Sequence, residues 1–282
     1  MLYYTVFFPI YAYVNDLMNT TKYTMSKVFS LILLPALSLL LLSCDKQQIR
    51  EGLTPESFEQ DSQAYSLPGL DPGAHQSPIN IFTKRTQEEN DDDQHQFVVH
   101  FQDEITAVEN LGNTIQLDFK QGSTIIIGGL TYTFKQMHFH TPSEHLIDGV
   151  TFPMELHIVS ATENSASPHY LVIAILFKMG EESKFINEFL NSIPEHEHSK
   201  TDTKVGSIRF SDLVSLSPSG ELGHHYHYKG SLTTPPFTES VNWFVLKQIF
   251  EASPEQIKTI NKLEGDNARH IKDKNNRLVE AN

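Results

Sequence analysis

The chain has 282 residues, 39% hydrophobic and 20% charged, which is ordinary for a globular protein and long enough for one large domain or two small ones. Lys and Arg number 21 against 35 Asp and Glu, a net charge of −14 that argues against nucleic acid or an anionic membrane surface as partner. All 14 His lie between His75 and His270, and the one Cys, Cys44, excludes an intrachain disulfide and a cysteine metal cluster. A metal site in this chain must be built from His and carboxylates.

Taken in chain order, residues 28–42 (VFSLILLPALSLLLL) form an apolar run of 15, short for a membrane span of about 20. The run follows Met25-Ser26-Lys27 and enters Leu41-Leu42-Ser43-Cys44. A basic start, an apolar centre and a small residue at the end describe a secretory signal peptide over residues 25–43. A Cys directly after it resembles the lipobox of bacterial lipoproteins, in which that thiol is acylated and becomes the first mature residue. Leu42 is a looser match to that pattern, and an uncleaved signal anchor is the competing reading. Residues 1–24 have no role in this scheme and read as a mis-called start, with Met25 as the true one; a second weak hydrophobic segment is the alternative. Cys44 is thus expected to carry a lipid that tethers an exported, membrane-anchored lipoprotein of a bacterial envelope, facing the periplasm or the cell surface. Residues 44–74, rich in polar residues, Pro and Gly, read as the tether.

The remainder, residues 75–282, reads as one domain. Short alternating runs at 114–120, 123–127, 131–140, 154–160, 170–178 and 240–246 predict strands, with Gly128-Gly129, Asp148-Gly149 and residues 217–220 as turns. Helical spacing occurs twice. Phe185, Phe189 and Ile193 stand at i, i+4 and i+8, and Ile257, Ile260 and Leu263 follow Ser253-Pro254, a cap with Pro in the first turn. The fold class is therefore mainly β with small peripheral helices. The acidic run at 87–96 (QEENDDDQHQ) lacks a calcium-loop pattern and reads as a solvated loop, and the EHEH at 195–198 as surface residues.

The chemistry concentrates in two predicted strands. Alternation in FKQMHFH places Gln136, His138 and His140 on one face, and in MELHIVS it places Glu155, His157 and Val159 together. If the two strands are neighbours, three imidazoles converge. Three protein ligands leave one tetrahedral position open, the pattern of a catalytic zinc.

The surrounding strings carry a resemblance. QMHFHTPSEHLIDG at 136–149, QSPINI at 76–81, MELH at 154–157, YKGSLTTPP at 228–236 and VNW at 241–243 together resemble the alpha-class carbonic anhydrases, especially the secreted bacterial ones. That resemblance implies a large, mostly antiparallel twisted sheet of about ten strands, with Zn2+ at the floor of a conical cleft. It implies an enzyme that hydrates carbon dioxide reversibly to bicarbonate and a proton by attack of zinc-bound hydroxide. His138, His140 and His157 match the zinc ligands, and Gln136 and Glu155 the groups that hold the ligand imidazoles. Thr233 matches the threonine that orients the hydroxide and passes its own proton to Glu144. Val159, Val172, Leu232, Val241, Trp243 and Thr234 match the substrate pocket, and His145, Tyr228 and Asn267 supporting hydrogen-bond positions. Asn113 stands where relatives usually carry a proton-shuttling His, so turnover at low buffer is expected to be limited by proton release. Two alternatives are a surface binding module without turnover and a zinc esterase. The ligand set, Glu144 and Thr233 are all present, which disfavours the binding module.

Overall fold

The computed structural model describes residues 73–88, 98–102, 105–120, 122–163, 168–214 and 223–282. The signal peptide, Cys44, nearly all of the tether and most of the acidic run fall outside the described residues. Among the described residues, nine strands have four or more residues. They are β1 (Ile105–Asn110), β2 (Ile115–Phe119), β3 (Thr124–Ile127), β4 (Leu130–His140), β5 (Met154–Thr162), β6 (Tyr170–Met179), β7 (Ser199–Asp202), β8 (His225–Gly230) and β9 (Val241–Leu246). Two α-helices accompany them, α1 (Lys184–Leu190) and α2 (Pro254–Glu264).

One 13-stranded sheet holds all nine, running β7-β1-β2-β4-β5-β6-β9-β8 and then the short strands Glu280–Ala281 and Gln87–Glu88. Those ten form the continuous path; β3, Val98–His100 and Phe250–Ala252 pair off it. Antiparallel pairing dominates, with β6 and β9 parallel. A second sheet of three short strands brings Asn80–Ile81 beside Leu146–Ile147.

β6 (YLVIAILFKM) shows why the sheet is buried on both faces. Leu171, Ile173, Ile175 and Phe177 join one core under α1 and α2, while Val172, Ala174 and Leu176 join a second core with Ile79, Tyr228 and Trp243. A strand covered on both sides reads as a continuous apolar run rather than an alternating one. Both helices supply an apolar edge to the first core. In α2, Ser253 and Gln256 form a reciprocal capping box with Pro254 in the first turn. In α1, Ser183 caps the start and Phe185, Ile186 and Phe189 are buried.

Ile193 departs from expectation. α1 stops at Leu190 with Asn191 as C-cap, and the Ser192 amide closes a turn on the Phe189 carbonyl at 2.7 Å. Ile193 still packs against the core, but from the turn preceding Pro194, a position that disfavours helix. β1, β7 and β8 were not predicted from periodicity. In β8 (HYHYKG) the polarity of His conceals a buried strand, where the His227 ring stacks on Phe244 at 4.4 Å and 8°.

Candidate metal centre and cleft

Register decides the site. In the β4–β5 pairing His138 stands opposite His157, Glu155 opposite His140 and Val159 opposite Gln136. The same rows continue across the sheet: Val159 faces Val172 on β6, Val172 faces Trp243 on β9, and Trp243 faces Tyr228 on β8. The result is a patch on one face, imidazoles at one end and apolar groups at the other.

The ring centroids of the three His lie 5.0 Å (138–140), 5.3 Å (138–157) and 4.6 Å (140–157) apart, and one ring nitrogen from each falls within 4.8 Å of the others. His138 Nδ1 lies 2.9 Å from Gln136 Oε1, and His157 Nε2 lies 2.8 Å from Glu155 Oε1. Both acceptors draw the N–H to their side, which assigns the tautomers and leaves His138 Nε2 and His157 Nδ1 as bare donors of a lone pair. His140 is buried, with Glu144 Oε1 3.6 Å from its Nδ1 and the backbone and side chain of Asn267 as its hydrogen-bonding neighbours. Burial is the main cause that lowers the pKa of all three: His138 well below its ordinary value, His140 to about 4, His157 below as well. Neutral imidazoles, each turning one ring nitrogen toward the other two, are what a metal requires, so the residues fit zinc.

Behind the imidazoles lies a buried polar chain. Glu155, with no exposed surface, accepts four hydrogen bonds. Its Oε2 takes the Glu144 and His145 amides, each at 2.8 Å, and its Oε1 faces His145 Nδ1 at 2.6 Å as well as His157. Burial alone would raise this carboxyl, but His145, His157 and their hydrogen bonds hold it well below the usual range. The second candidate metal grouping, His145–Glu155–His157, is this hydrogen-bonded chain. His145 Nε2 then meets the Tyr228 hydroxyl at 2.6 Å, and Tyr228 meets Ser77 Oγ at 3.0 Å. QSPINI and YKGSLTTPP thus touch each other behind the site. Gly230 is required there, since a Cβ would lie 2.1 Å from Ser77 Oγ.

Glu144 is buried beside His140 and His157. Its Oε1 accepts the Arg269 amide at 2.9 Å, its Oε2 lies 3.9 Å from His157 Nδ1, and the Thr233 hydroxyl is its side-chain hydrogen-bond neighbour. Burial pushes its carboxyl up to about 7, with His157, the Arg269 amide and the adjacent Thr233 hydroxyl opposing. Asn267 ties the end of β4 to the neighbouring loop: its Oδ1 accepts the Thr141 amide at 3.0 Å, and its Nδ2 donates to the carbonyls of Asn113 (2.8 Å) and Phe139 (3.1 Å).

A cleft of about 210 Å³ opens over the His floor, lined by Gln136, His138, His157, Val159, Tyr170, Val172, Leu232, Thr233, Thr234 and Trp243. The Trp243 indole is fixed by donation to the Ser231 carbonyl at 3.0 Å. Of the residues expected in the pocket, Val241 is the exception. It is 2% exposed and lies outside the lining, because Tyr170, its partner in the β6–β9 register, occupies that part of the wall. Tyr170 and Arg269 are the functional positions that sequence reasoning missed; a clue to Tyr170 was its i, i+2 spacing from Val172. Asn113 is exposed and meets the site only through its carbonyl. His225 and His227 are core residues on β8, and the EHEH residues are exposed, as expected.

The eukaryotic-type carbonic anhydrase family model matches residues 62–282. The chain belongs to the alpha-class carbonic anhydrases. It is 35% identical over 228 residues to a carbonic anhydrase of Neisseria gonorrhoeae, covering 80% of this chain and 84% of the relative. A carbonic anhydrase of Pectobacterium atrosepticum is 31% identical over 226 residues, covering 80% and 86%. The alpha-carbonic anhydrase of Thermovibrio ammonificans, solved with the inhibitor sulfanilamide, superposes with a TM-score of 0.66 at 30% identity, covering 80% of this chain and 94% of that one. The alpha-carbonic anhydrase of Photobacterium profundum superposes with a TM-score of 0.64 at 29% identity, covering 80% and 97%. Membership in this enzyme family supports reversible hydration of carbon dioxide as the reaction.

Proposed function

We propose that His138, His140 and His157 hold Zn2+ and that carbon dioxide is hydrated in the cleft above them. The observation that carries this is the convergence of three neutral imidazoles, His140 and His157 buried and His138 half-buried, two with tautomers fixed from behind, on the floor of an apolar pocket. When bound, zinc lowers the pKa of a water toward neutrality, as is established for carbonic anhydrases, and so supplies the nucleophile. Carbon dioxide is small and apolar, and Val159, Val172, Leu232 and Trp243 offer it a dry surface with no competing donor. Thr233 and Glu144 supply direction. With Arg269 donating to Oε1, Glu144 Oε2 remains to accept the Thr233 hydroxyl hydrogen, leaving the threonine oxygen to accept one from the nucleophile. The Thr233 amide is then available to an anionic oxygen of the product. Bicarbonate leaves, and one proton must follow; Asn113 cannot carry it.

The test is zinc content together with carbon dioxide hydration in wild type and His157→Ala. Wild type should bind one zinc and turn over, sulfanilamide should inhibit it, and the variant should lose both metal and turnover. Zinc-loaded wild type without hydration would replace this reading with the binding module. Hydrolysis of activated esters is a side activity of the same centre, visible with an aryl ester. At the amino terminus, the lipobox-like Leu42-Ser43-Cys44 supports lipid attachment at Cys44 and display on a bacterial envelope. Membrane-fraction material whose mature mass begins at an acylated Cys44 is the expected result, and Cys44→Ala should release the protein.

A further inference from the structure

The last turn of α2 carries a carboxyl that the mechanism does not use. Glu264 is 6% exposed, with Oε1 3.0 Å from Thr141 Oγ1 and Oε2 accepting the Ile115 amide at 3.3 Å. Thr141 directly follows His140, and Ile115 follows the Asn113 loop, so this side chain bridges two backbone segments at the edge of the metal site.

The hydrogen count around Thr141 Oγ1 is decisive. This oxygen lies 2.9 Å from the Gly265 carbonyl as well as 3.0 Å from Glu264 Oε1, and it accepts from Asn261 Nδ2 at 3.2 Å. The orientation of the Asn261 amide is fixed, because the same nitrogen donates to Asp266 Oδ1 at 3.0 Å. A hydroxyl has one hydrogen and two acceptor lone pairs. If Glu264 were ionised, that one hydrogen would face two acceptors, and one of the oxygen–oxygen contacts of 2.9 and 3.0 Å would have no hydrogen between its lone pairs. If Glu264 is protonated, every group is satisfied. Glu264 donates to Thr141, Asn261 donates to Thr141, Thr141 donates to the Gly265 carbonyl, and Oε2 still accepts from Ile115.

We infer that Glu264 is held as a neutral carboxylic acid and is a positioning residue, its proton locking Thr141 and thereby the strand end that carries His140. Among the described residues no cation pairs with the carboxyl. From β2 and the end of β4 it meets an amide and a hydroxyl, while the charges of the last turn of α2 and its cap, Lys262 and Asp266, are both exposed. The carbonyl end of a helix disfavours an anion. Consistent with this, burial pushes the carboxyl up to about 8 against the two hydrogen bonds. The role assigned to His140 rests on the proposed zinc site; the protonation of Glu264 does not.

Glu264→Gln tests the idea, because an amide reproduces the neutral acid, donating to Thr141 and accepting from Ile115. In wild type the unfolded carboxyl ionises from about pH 4.3 while the folded one keeps its proton to about 8. Wild type should therefore lose stability relative to E264Q across that window and no further. We expect Tm values that converge by about pH 4, an E264Q Tm that rises above wild type by pH 8, and an infrared band of a protonated buried carboxyl that is present in wild type and absent in E264Q. An E264Q protein less stable than wild type at every pH, or a missing band, overturns the neutral acid. For positioning, zinc loss to a chelator should be near wild type in E264Q and at least about tenfold faster in E264A, the size expected when a support behind a ligand is removed. If E264A does not fold, Thr141→Val reports the same contact. Fast loss in E264A or T141V with rescue in E264Q supports the lock. Unchanged loss in a zinc-binding E264A or T141V overturns it. A wild type that takes up no zinc refutes the metal site and the positioning role together, and the pH-dependent Tm gap still decides the protonation.

Discussion

Glu155→Gln should separate folding from metal binding, because the four donors around Glu155 cannot all be satisfied by an amide. The carboxylate presents Oε2 to two backbone amides and Oε1 to two imidazole nitrogens. Turning the glutamine NH2 toward the backbone would oppose two buried N–H groups, at about 1–3 kcal/mol each. Turning it toward the rings is cheaper, since both imidazoles can change tautomer. His145 then donates from Nε2 to Tyr228, and Tyr228 donates to Ser77, 3.0 Å away. His157, however, must move its hydrogen to Nδ1, the nitrogen turned toward the proposed zinc position. The expected outcome is a modest stability loss of about 1–3 kcal/mol in urea unfolding, from weakened charge-assisted bonds. Zinc affinity by chelator competition should fall by about 10- to 100-fold. Wild-type zinc affinity in a folded E155Q protein would refute the argument that Glu155 sets the tautomer of His157.

Three further outcomes follow from the same geometry. Asn113→His adds a proton carrier at an exposed position whose backbone carbonyl accepts from Asn267, so kcat at low buffer should rise, as should wild-type kcat on adding imidazole; no response to either would remove proton release as the limit. Tyr170→Leu enlarges the cleft wall without touching the His floor. Hydrolysis of a bulky aryl ester should rise several-fold while carbon dioxide hydration changes by less than about threefold; equal changes in both would show that Tyr170 does not discriminate by size. Gly230→Ala drives a methyl into Ser77 Oγ and to within 3.0 Å of Trp243 Cδ1, and should cost about 1–3 kcal/mol in urea unfolding as an overpacked site.

The local half of the site is legible in the sequence. A strand repeats every two residues, so His138 and His140 share a face with Gln136, and His157 with Glu155. Each ligand bonded to its support at that spacing is therefore a property of one strand, as are the capping box of Ser253 and Gln256 and the burial of Phe185 and Phe189. The family motifs extend this to Thr233, Glu144 and Asn267 because they stand in fixed order along the chain.

What the sequence could not determine is which strand lies beside which and what surrounds each polar group. The register that sets His157 against His138 comes from packing β5 between β4 and β6, contacts made by residues far apart in the chain. Tyr170 displaces Val241 from the cleft wall for the same reason. The ionisation of a carboxyl is equally non-local. Glu155 and Glu264 are the same residue type in buried positions, yet four donors hold the first well below the usual carboxylate range, while burial without a cation drives the second up to about 8. Composition fixed how many His and carboxylates the chain has, and periodicity fixed the faces they occupy. Only the tertiary structure decided which imidazoles converge and which carboxyls keep their protons, because both depend on neighbours supplied by distant segments.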